Sequence, residues 1–260
     1  MRLDQYLVDK GIFESRNKAK TAISDSLISV NGKIITKSSF EVLDTDDIKI
    51  VGEVCPYVSR GGYKLEAAIK SFYLDFKDKV IVDIGASTGG FTDCALQNGA
   101  KKVYSIDVGT DQLAKKLKSD SRVVSLEQTN IQDIPYFPEE IDYFVMDVSF
   151  VSIEYLMKDI SRFITNKNKL VCLIKPQFEV GKVHLKNGIV KDRTVHINVI
   201  EAIIKDLENY GLGISKLIPS PILGGSGNKE FLCLIERNIK TKINVIEAVK
   251  EWLYVKILKR

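Results

Sequence analysis

The chain has 260 residues, 45% of them apolar, enough for one large α/β domain and a small one, each around its own core. Its 38 Lys and Arg against 34 Asp and Glu leave a net charge of +4, a mild excess that suits a polyanionic partner without requiring one. Four scattered cysteines (55, 94, 172 and 233) and two histidines (184 and 196) give no metal-ligand spacing, and no run nears the ~18 apolar residues of a membrane span.

We therefore expect buried thiols, no metal and no membrane partner. The start "MRLDQYLVDKGIF" is charged and periodic, without the apolar stretch of a signal peptide, so the expected compartment is cytoplasmic.

Residues 1–52 read as a small α+β module. Leu3, Leu7 and Val8 fall at helical spacing, Ser15 is placed to cap a second helix, and "ISVNGKII" is a pair of short strands around an Asn31-Gly32 turn. Lys10, Arg16, Lys18, Lys20, Lys33 and Lys37 crowd the middle, opposed there by Glu14 and Asp25, while acids gather later in "DTDD". The order of "RLD", "SRNKAK" and "VNGK" resembles the S4 RNA-binding domain. That resemblance implies a basic surface for folded RNA, with Arg2, Arg16, Lys18, Lys20 and Lys33 as contacts. The plainer alternative is a solvated charged helix face.

A linker is expected over residues 53–62, with Gly52 and Pro56 as its punctuation, and a second domain over 63–260. Its apolar runs "VIVDIG", "VYSID", "RVVSL", "YFVMD" and "LVCLIK" alternate with helical segments such as "TDCALQN", "DQLAKKLK" and "HINVIEAIIKDLEN", which predicts a mostly parallel sheet covered on both faces. "ISKLIP" and "FLCLIE" are joined across "SPILGGSGNKE" without a helix, so they pair antiparallel. A seven-stranded sheet with an antiparallel last strand is the Rossmann-like methyltransferase arrangement. In the tail, Ile243, Ile246, Val249 and Leu253, with Trp252 and Ile257 nearby, predict a final helix packed on the sheet rather than on a membrane surface.

The turn in "IVDIGASTGGFTD" follows a strand and opens a helix, so it offers free backbone N–H groups to a nucleotide-like ligand. A dinucleotide turn needs glycine where Ser87 stands, and a P-loop needs lysine where Phe91 stands. S-adenosylmethionine carries no phosphate and suits the turn formed by Gly85, Ala86, Ser87, Gly89, Gly90 and Phe91. Asp83 is placed to engage its ammonium group, and Asp107, about 20 residues beyond the turn, its ribose hydroxyls. Asn130 is placed for the adenine edge. Alternatively the glycines serve only a tight turn.

"YVSRGGYKLEAAI", "MDVSFVSI", "LIKPQFEVGK" and "GGSGNKEFL", together with the S4-like module, resemble the TlyA (haemolysin A) family of FtsJ-like ribosomal RNA 2′-O-methyltransferases over nearly the whole chain. The resemblance implies the catalytic set Lys64, Asp147, Lys175 and Glu230, with ribosomal RNA or ribosomal subunits as partner and cytidine as target. A ribose 2′-hydroxyl is a poor nucleophile, so it needs a base. A lysine serves only when neutral, a form that burial or a neighbouring cation favours, and Lys64 is placed to be that cation for Lys175. Asp147 and Glu230 would orient the amines and the hydroxyl. The plain alternatives are a surface lysine at Lys64, a cap at Asp147 and a solvated turn at Glu230; Lys175, between "LVCLI" and Pro176, has none as natural.

Arg60 and Lys182 are candidate RNA contacts, Arg60 equally a flexible joint, and Phe178 is a candidate for base stacking or core. The two histidines are expected to be structural. Gln132 departs from the family pattern, where arginine is common. Two competing functions are a membrane-lysing haemolysin, disfavoured by the missing signal and span, and an RNA-binding protein with an inactive methyltransferase fold. The sequence leaves the oligomeric state open.

Overall fold

The computed structural model describes residues 1–52, 54–224 and 226–252. It divides into two compact units, Met1–Ser59 and a larger one opening at Arg60.

In the first unit α1 (Leu3–Asp9) and α2 (Arg16–Ser24) precede β1 (Ile28–Val30), β2 (Lys33–Ile34) and β3 (Ile48–Ile50). Leu3 and Leu7 are buried with Ala19, Ala22 and Ile23, and Phe13, Leu27, Ile28 and Val42 close the same core. Ser15 accepts the Lys18 N–H at 3.3 Å and so caps α2. Asn31 and Gly32 both hold positive φ, 50° and 77°, as a tight hairpin turn of this hand requires. The turn joins β1 to β2, and β3 pairs antiparallel on the other edge of β1. Two acids of the "DTDD" run serve this loop. Asp46 accepts from Asn31 and from the Leu43 N–H, both at 2.8 Å, and the Asp47 N–H donates to Asn31 at 2.9 Å.

The larger unit opens with α3 (Gly61–Phe72), so Gly61 and Gly62 form a helical first turn rather than linker. Then follow β4 (Val80–Ile84), α4 (Gly90–Gln97), β5 (Lys102–Ile106), α5 (Lys115–Lys118), β6 (Val123–Leu126), β7 (Tyr143–Met146), α6 (Ile153–Ile160), β8 (Lys169–Ile174), α7 (Pro176–Glu179), α8 (Arg193–Glu208), β9 (Leu212–Pro219), β10 (Phe231–Arg237) and α9 (Val245–Glu251). The seven strands lie in the order β6-β5-β4-β7-β8-β10-β9, and β10 runs antiparallel to both neighbours. β4 is buried at every position, the pattern of a strand covered on both faces. From β4 the chain moves outward to β6 and then returns to β7. That reversal opens a crevice at the carboxyl ends of β4 and β7.

Two expected helices differ. The "DQLAKKLK" segment is helical only over Lys115–Lys118, because the Asp111 and Leu113 N–H groups donate instead to the Glu127 carboxylate, at 2.9 and 3.3 Å. In α9 the buried face is Val245, Ala248, Val249 and Trp252, whereas Ile246 is half exposed. The cap decides this phase: Asn244 accepts the Glu247 N–H at 3.1 Å, so Ile243 precedes the helix. Leu253 and Ile257 lie outside the described residues.

Candidate active site

Lys64 rises from the first turns of α3, Asp147 directly follows β7, Lys175 follows β8, and Glu230 immediately precedes β10. Because β10 is antiparallel to β8, its beginning meets the end of β8: Phe231 pairs with Ile174. This register puts Glu230 on the same rim as Lys175. Lys64 Nζ donates to Glu230 Oε2 at 2.7 Å and lies 3.7 Å from Asp147 Oδ2, while Lys175 Nζ lies 2.6 Å from Asp147 Oδ1. The four groups thus form a chain of alternating charge, Lys175, Asp147, Lys64 and Glu230.

Lys64 and Lys175 each keep only 8% of their surface and Glu230 2%. Charges so buried persist because they balance. Burial pulls the Lys64 ammonium down, but the carboxylates of Asp147 and Glu230 more than offset this and leave it above the ordinary lysine value. Lys64 is therefore a fixed cation, though Asp147 stands between it and Lys175.

Several supporting residues escape a reading by sequence alone. Gln177 donates to Glu230 Oε1 at 3.3 Å, and the Trp252 indole N–H donates to the Glu230 carbonyl at 2.9 Å. Ser149 accepts from Lys175 Nζ at 2.7 Å. Asn228 accepts the Val190 N–H at 3.0 Å and donates to the Gly188 carbonyl at 2.9 Å, tying the basic loop to the turn before Glu230. Phe150, 89% exposed with φ 67°, meets Phe178 at 4.8 Å between ring centroids, and Lys175 Nζ lies 5.9 Å from the Phe178 ring. For Ser149, Phe150, Gln177 and Asn228 only nearness in sequence to Asp147, Lys175 or Glu230 hints at these roles; Trp252, 22 residues from Glu230, carries no such hint, and Phe178 is the one the sequence already offered for stacking.

The glycine turn lies beside this cluster. Gly85, at φ 79°, comes so close that a Cβ there would stand 2.9 Å from Val148 Cγ1 and 3.1 Å from the Asp147 carbonyl. Ser87 carries φ 49° and Gly89 φ 94°, and Gly90 opens α4. The Ala86 and Phe91 side chains are buried in the scaffold. Asp107 accepts the Ser87 and Gly109 N–H groups, each at 2.7 Å, so its carboxylate is fixed at the lip of the turn. Asn130 accepts the Gln132 N–H at 3.2 Å and starts a short 3-10 turn.

Asp83 is completely buried. Thr92 donates to its Oδ2 at 2.6 Å, its Oδ1 has no hydrogen-bond partner among the described residues, and burial pushes the carboxyl up to about 7. His196 is also buried, pulled down to about 4 chiefly by desolvation, and packs on Phe231; His184 is exposed in the 3-10 turn Lys182–His184.

In the first unit, Asp4 is fully buried and accepts from Arg2 Nε and Arg16 Nη2, both at 2.9 Å, leaving each guanidinium about half exposed. Lys18 pairs with Glu14 at 2.7 Å, while Lys20 and Lys33 are exposed. In the larger unit Arg60 is half-buried at the start of α3 and Lys182 is exposed. Among the described residues no group of three or more His, Cys, Asp or Glu is placed to hold a metal ion, and no helix is long and apolar enough to cross a membrane.

A sheet of this order, with a glycine turn after its central first strand and a ribose-type acid after the second, defines the Rossmann-like methyltransferase class. Residues 57–237 match the FtsJ-like methyltransferase family and residues 1–48 the S4 domain, and the chain belongs to the S4-bearing FtsJ-like methyltransferases. It is 43% identical to Hemolysin A of Brachyspira hyodysenteriae, over 89% of this chain and 98% of that one. It is 35% identical to the 16S/23S rRNA (cytidine-2′-O)-methyltransferase TlyA of Mycobacterium tuberculosis, over 88% of this chain and 87% of that one. A solved structure of a Streptococcus thermophilus protein carrying the hemolysin name superposes with a TM-score of 0.78 at 37% identity, over 98% of this chain and 96% of that one.

The chain is thus a methyltransferase with S-adenosylmethionine as its methyl donor. The residues present fit that donor. Glycine at position 85 lets the turn lie against Val148 and the Asp147 carbonyl where a side chain would not fit, the Asp107 carboxylate is fixed at its edge, and Phe91 stands where a phosphate site calls for lysine.

Proposed function

We propose that this protein methylates a ribose 2′-hydroxyl, that of a cytidine in ribosomal RNA, in the cytoplasm, and that its S4 domain recruits the folded RNA. The observation that supports this best is the alternating chain of Lys175, Asp147, Lys64 and Glu230 beside the glycine turn. The M. tuberculosis relative of similar length carries that activity in its name.

When bound, the donor supplies an already activated methyl group, so the protein's task is to prepare the acceptor. Lys175, in its neutral form, takes the hydroxyl proton. Asp147 neutralises the ammonium that results, in a site dry enough for that charge pairing to count. Lys64, held as a cation by two carboxylates, keeps Asp147 and Glu230 in place. Glu230, anchored by Gln177 and by Lys64, orients the hydroxyl.

Gly85, Ala86, Ser87, Gly89 and Gly90 would hold the donor, with Asp107 on the ribose and Asn130 near the adenine. Asp83 acts from beneath, steadying the turn through Thr92. The exposed Phe150 ring and the half-buried Phe178 ring beside it offer a face for a nucleobase. Arg2, Arg16, Lys18, Lys20 and Lys33 on the S4 domain, with Arg60 and Lys182 on the larger unit, contact RNA phosphates.

The test supplies labelled methyl donor and ribosomal particles lacking the modification, with wild type and Lys175→Ala compared. Wild type transfers label to RNA, and the variant loses transfer while calorimetry shows unchanged donor affinity. Donor binding without any transfer to RNA would leave an RNA-binding protein with an idle fold; loss of donor affinity in the variant would remove Lys175 from the role of base.

A further inference from the structure

Lys175 Nζ has two near partners of different kinds. Asp147 Oδ1 lies 2.6 Å away, but at angles outside those of a hydrogen bond, so that contact supplies charge without fixing direction. Ser149 Oγ accepts from the same nitrogen at 2.7 Å with hydrogen-bond geometry. We propose that Ser149 is a positioning residue of the methyl-transfer reaction, fixing rotation about the Lys175 Cε–Nζ bond so that the amine lone pair is aimed rather than free to turn. The inference rests on the proposed role of Lys175 as base.

The argument is tetrahedral. A neutral amine nitrogen carries its carbon, two hydrogens and one lone pair. With one hydrogen committed to Ser149, the remaining two directions are set by the framework, and Asp147 attracts the second hydrogen into one of them. The lone pair takes the last, which is where a hydroxyl proton must arrive. Without Ser149 the three staggered rotations of the amine become nearly equivalent, and only some present the lone pair. Asp147 alone chooses poorly among three free rotations, because its attraction depends mainly on distance; it decides only between the two directions that the Ser149 bond leaves.

The local chain leaves Ser149 available for this contact. It does not serve the helix that follows: Ser152 caps α6, accepting the Tyr155 N–H at 3.4 Å. Phe150 directly after it sits at φ 67°, a left-handed conformation costly for a bulky residue. That conformation bends the chain between the end of β7 and α6. Ser149 is itself exposed, so replacing it leaves no cavity in the core.

The experiment measures methyl transfer to ribosomal RNA by wild type, Ser149→Ala and Ser149→Thr, with donor affinity by calorimetry and thermal melting beside it. Misdirected proton transfer costs about tenfold to a hundredfold in rate. The expected result is a fall of that size in kcat for Ser149→Ala, with the KM for RNA, the donor affinity and the melting temperature unchanged, and most of the rate restored in Ser149→Thr. A wild-type rate in Ser149→Ala overturns the inference and leaves the methyltransferase reading standing. Equal loss in both variants, or a change confined to KM, also overturns it. Absence of transfer by wild type itself overturns the inference together with the reading on which it rests.

Discussion

Gly224 offers a way to move one acidic group of the cluster without removing it. A Cβ at this position would stand 2.3 Å from Glu230 Oε1 and 2.9 Å from its Cδ. Nonbonded heavy atoms settle at about 3.5 Å, so in Gly224→Ala the carboxylate must retreat by roughly 1 Å. Gly224 lies outside the left-handed region, so alanine brings no backbone strain, and the atoms it strikes are the yielding end of a side chain. The oxygen struck is the one that Gln177 bonds at 3.3 Å, and as the carboxylate turns away its other oxygen shifts against Lys64, now 2.7 Å distant.

A misplacement of about 1 Å costs on the order of a hundredfold in rate, or about 2.7 kcal/mol of barrier. Stability should fall by less than the ~3–5 kcal/mol that deleting one partner of a buried pair costs, because both charges stay inside. Initial rates of labelled methyl transfer at saturating donor and RNA, with melting and donor binding measured in parallel, test this. The expected variant is folded, binds donor as wild type does, and is slow. A wild-type rate would refute the reasoning, since it would mean that the position of Glu230 does not matter to the reaction.

Glu179 predicts a pH dependence of stability. It accepts the Ile153 N–H at 3.0 Å, and burial, reinforced by Glu154 and Asp206, pushes it up to about 7. A carboxyl raised in the folded state holds its proton more tightly than the unfolded chain does, so stability falls as pH climbs from the model-compound value of 4.5 and levels off above about 7. Glu179→Gln keeps an acceptor for Ile153 and flattens that fall, gaining on the order of 1–2 kcal/mol above neutrality after solvent screening. Melting curves across this range check it, and identical slopes in the two proteins would contradict it. On the S4 domain, Arg2→Ala and Arg16→Ala should each weaken RNA binding and reduce the slope of log affinity against log salt by about 0.7–0.9, measured by titration at several salt concentrations. An unchanged slope would assign these arginines to holding Asp4 alone.

Most of the sheet is legible in the sequence because its strands are unbroken apolar runs ended by glycine, aspartate or proline, as in "VIVDIG" and "LVCLIKP". The phase of α9 is not, because a single cap at Asn244 outweighs an apolar stripe through Ile246 that reads equally well one residue later than the buried face through Val245. Nor was the shortened α5, where the competing acceptor, Glu127, lies on the far side of a strand. Within the site, motif residues announce themselves by position, but the sequence gives no distances. That Asp147 separates Lys64 from Lys175 emerges only in three dimensions, as does the complete burial of Asp83 beneath α4. Asp4 is the same kind of case. Its value lies in two arginines, one of them twelve residues along the chain, that a linear reading counts as free charge.

The most direct test asks where the methyl group goes. A methylated 2′-oxygen can no longer attack the neighbouring phosphodiester, so alkaline hydrolysis of labelled ribosomal RNA leaves that linkage intact. The account predicts label in an alkali-resistant dinucleotide whose 5′ nucleoside mass spectrometry identifies as 2′-O-methylcytidine. Label released in mononucleotides, on the base, would contradict it.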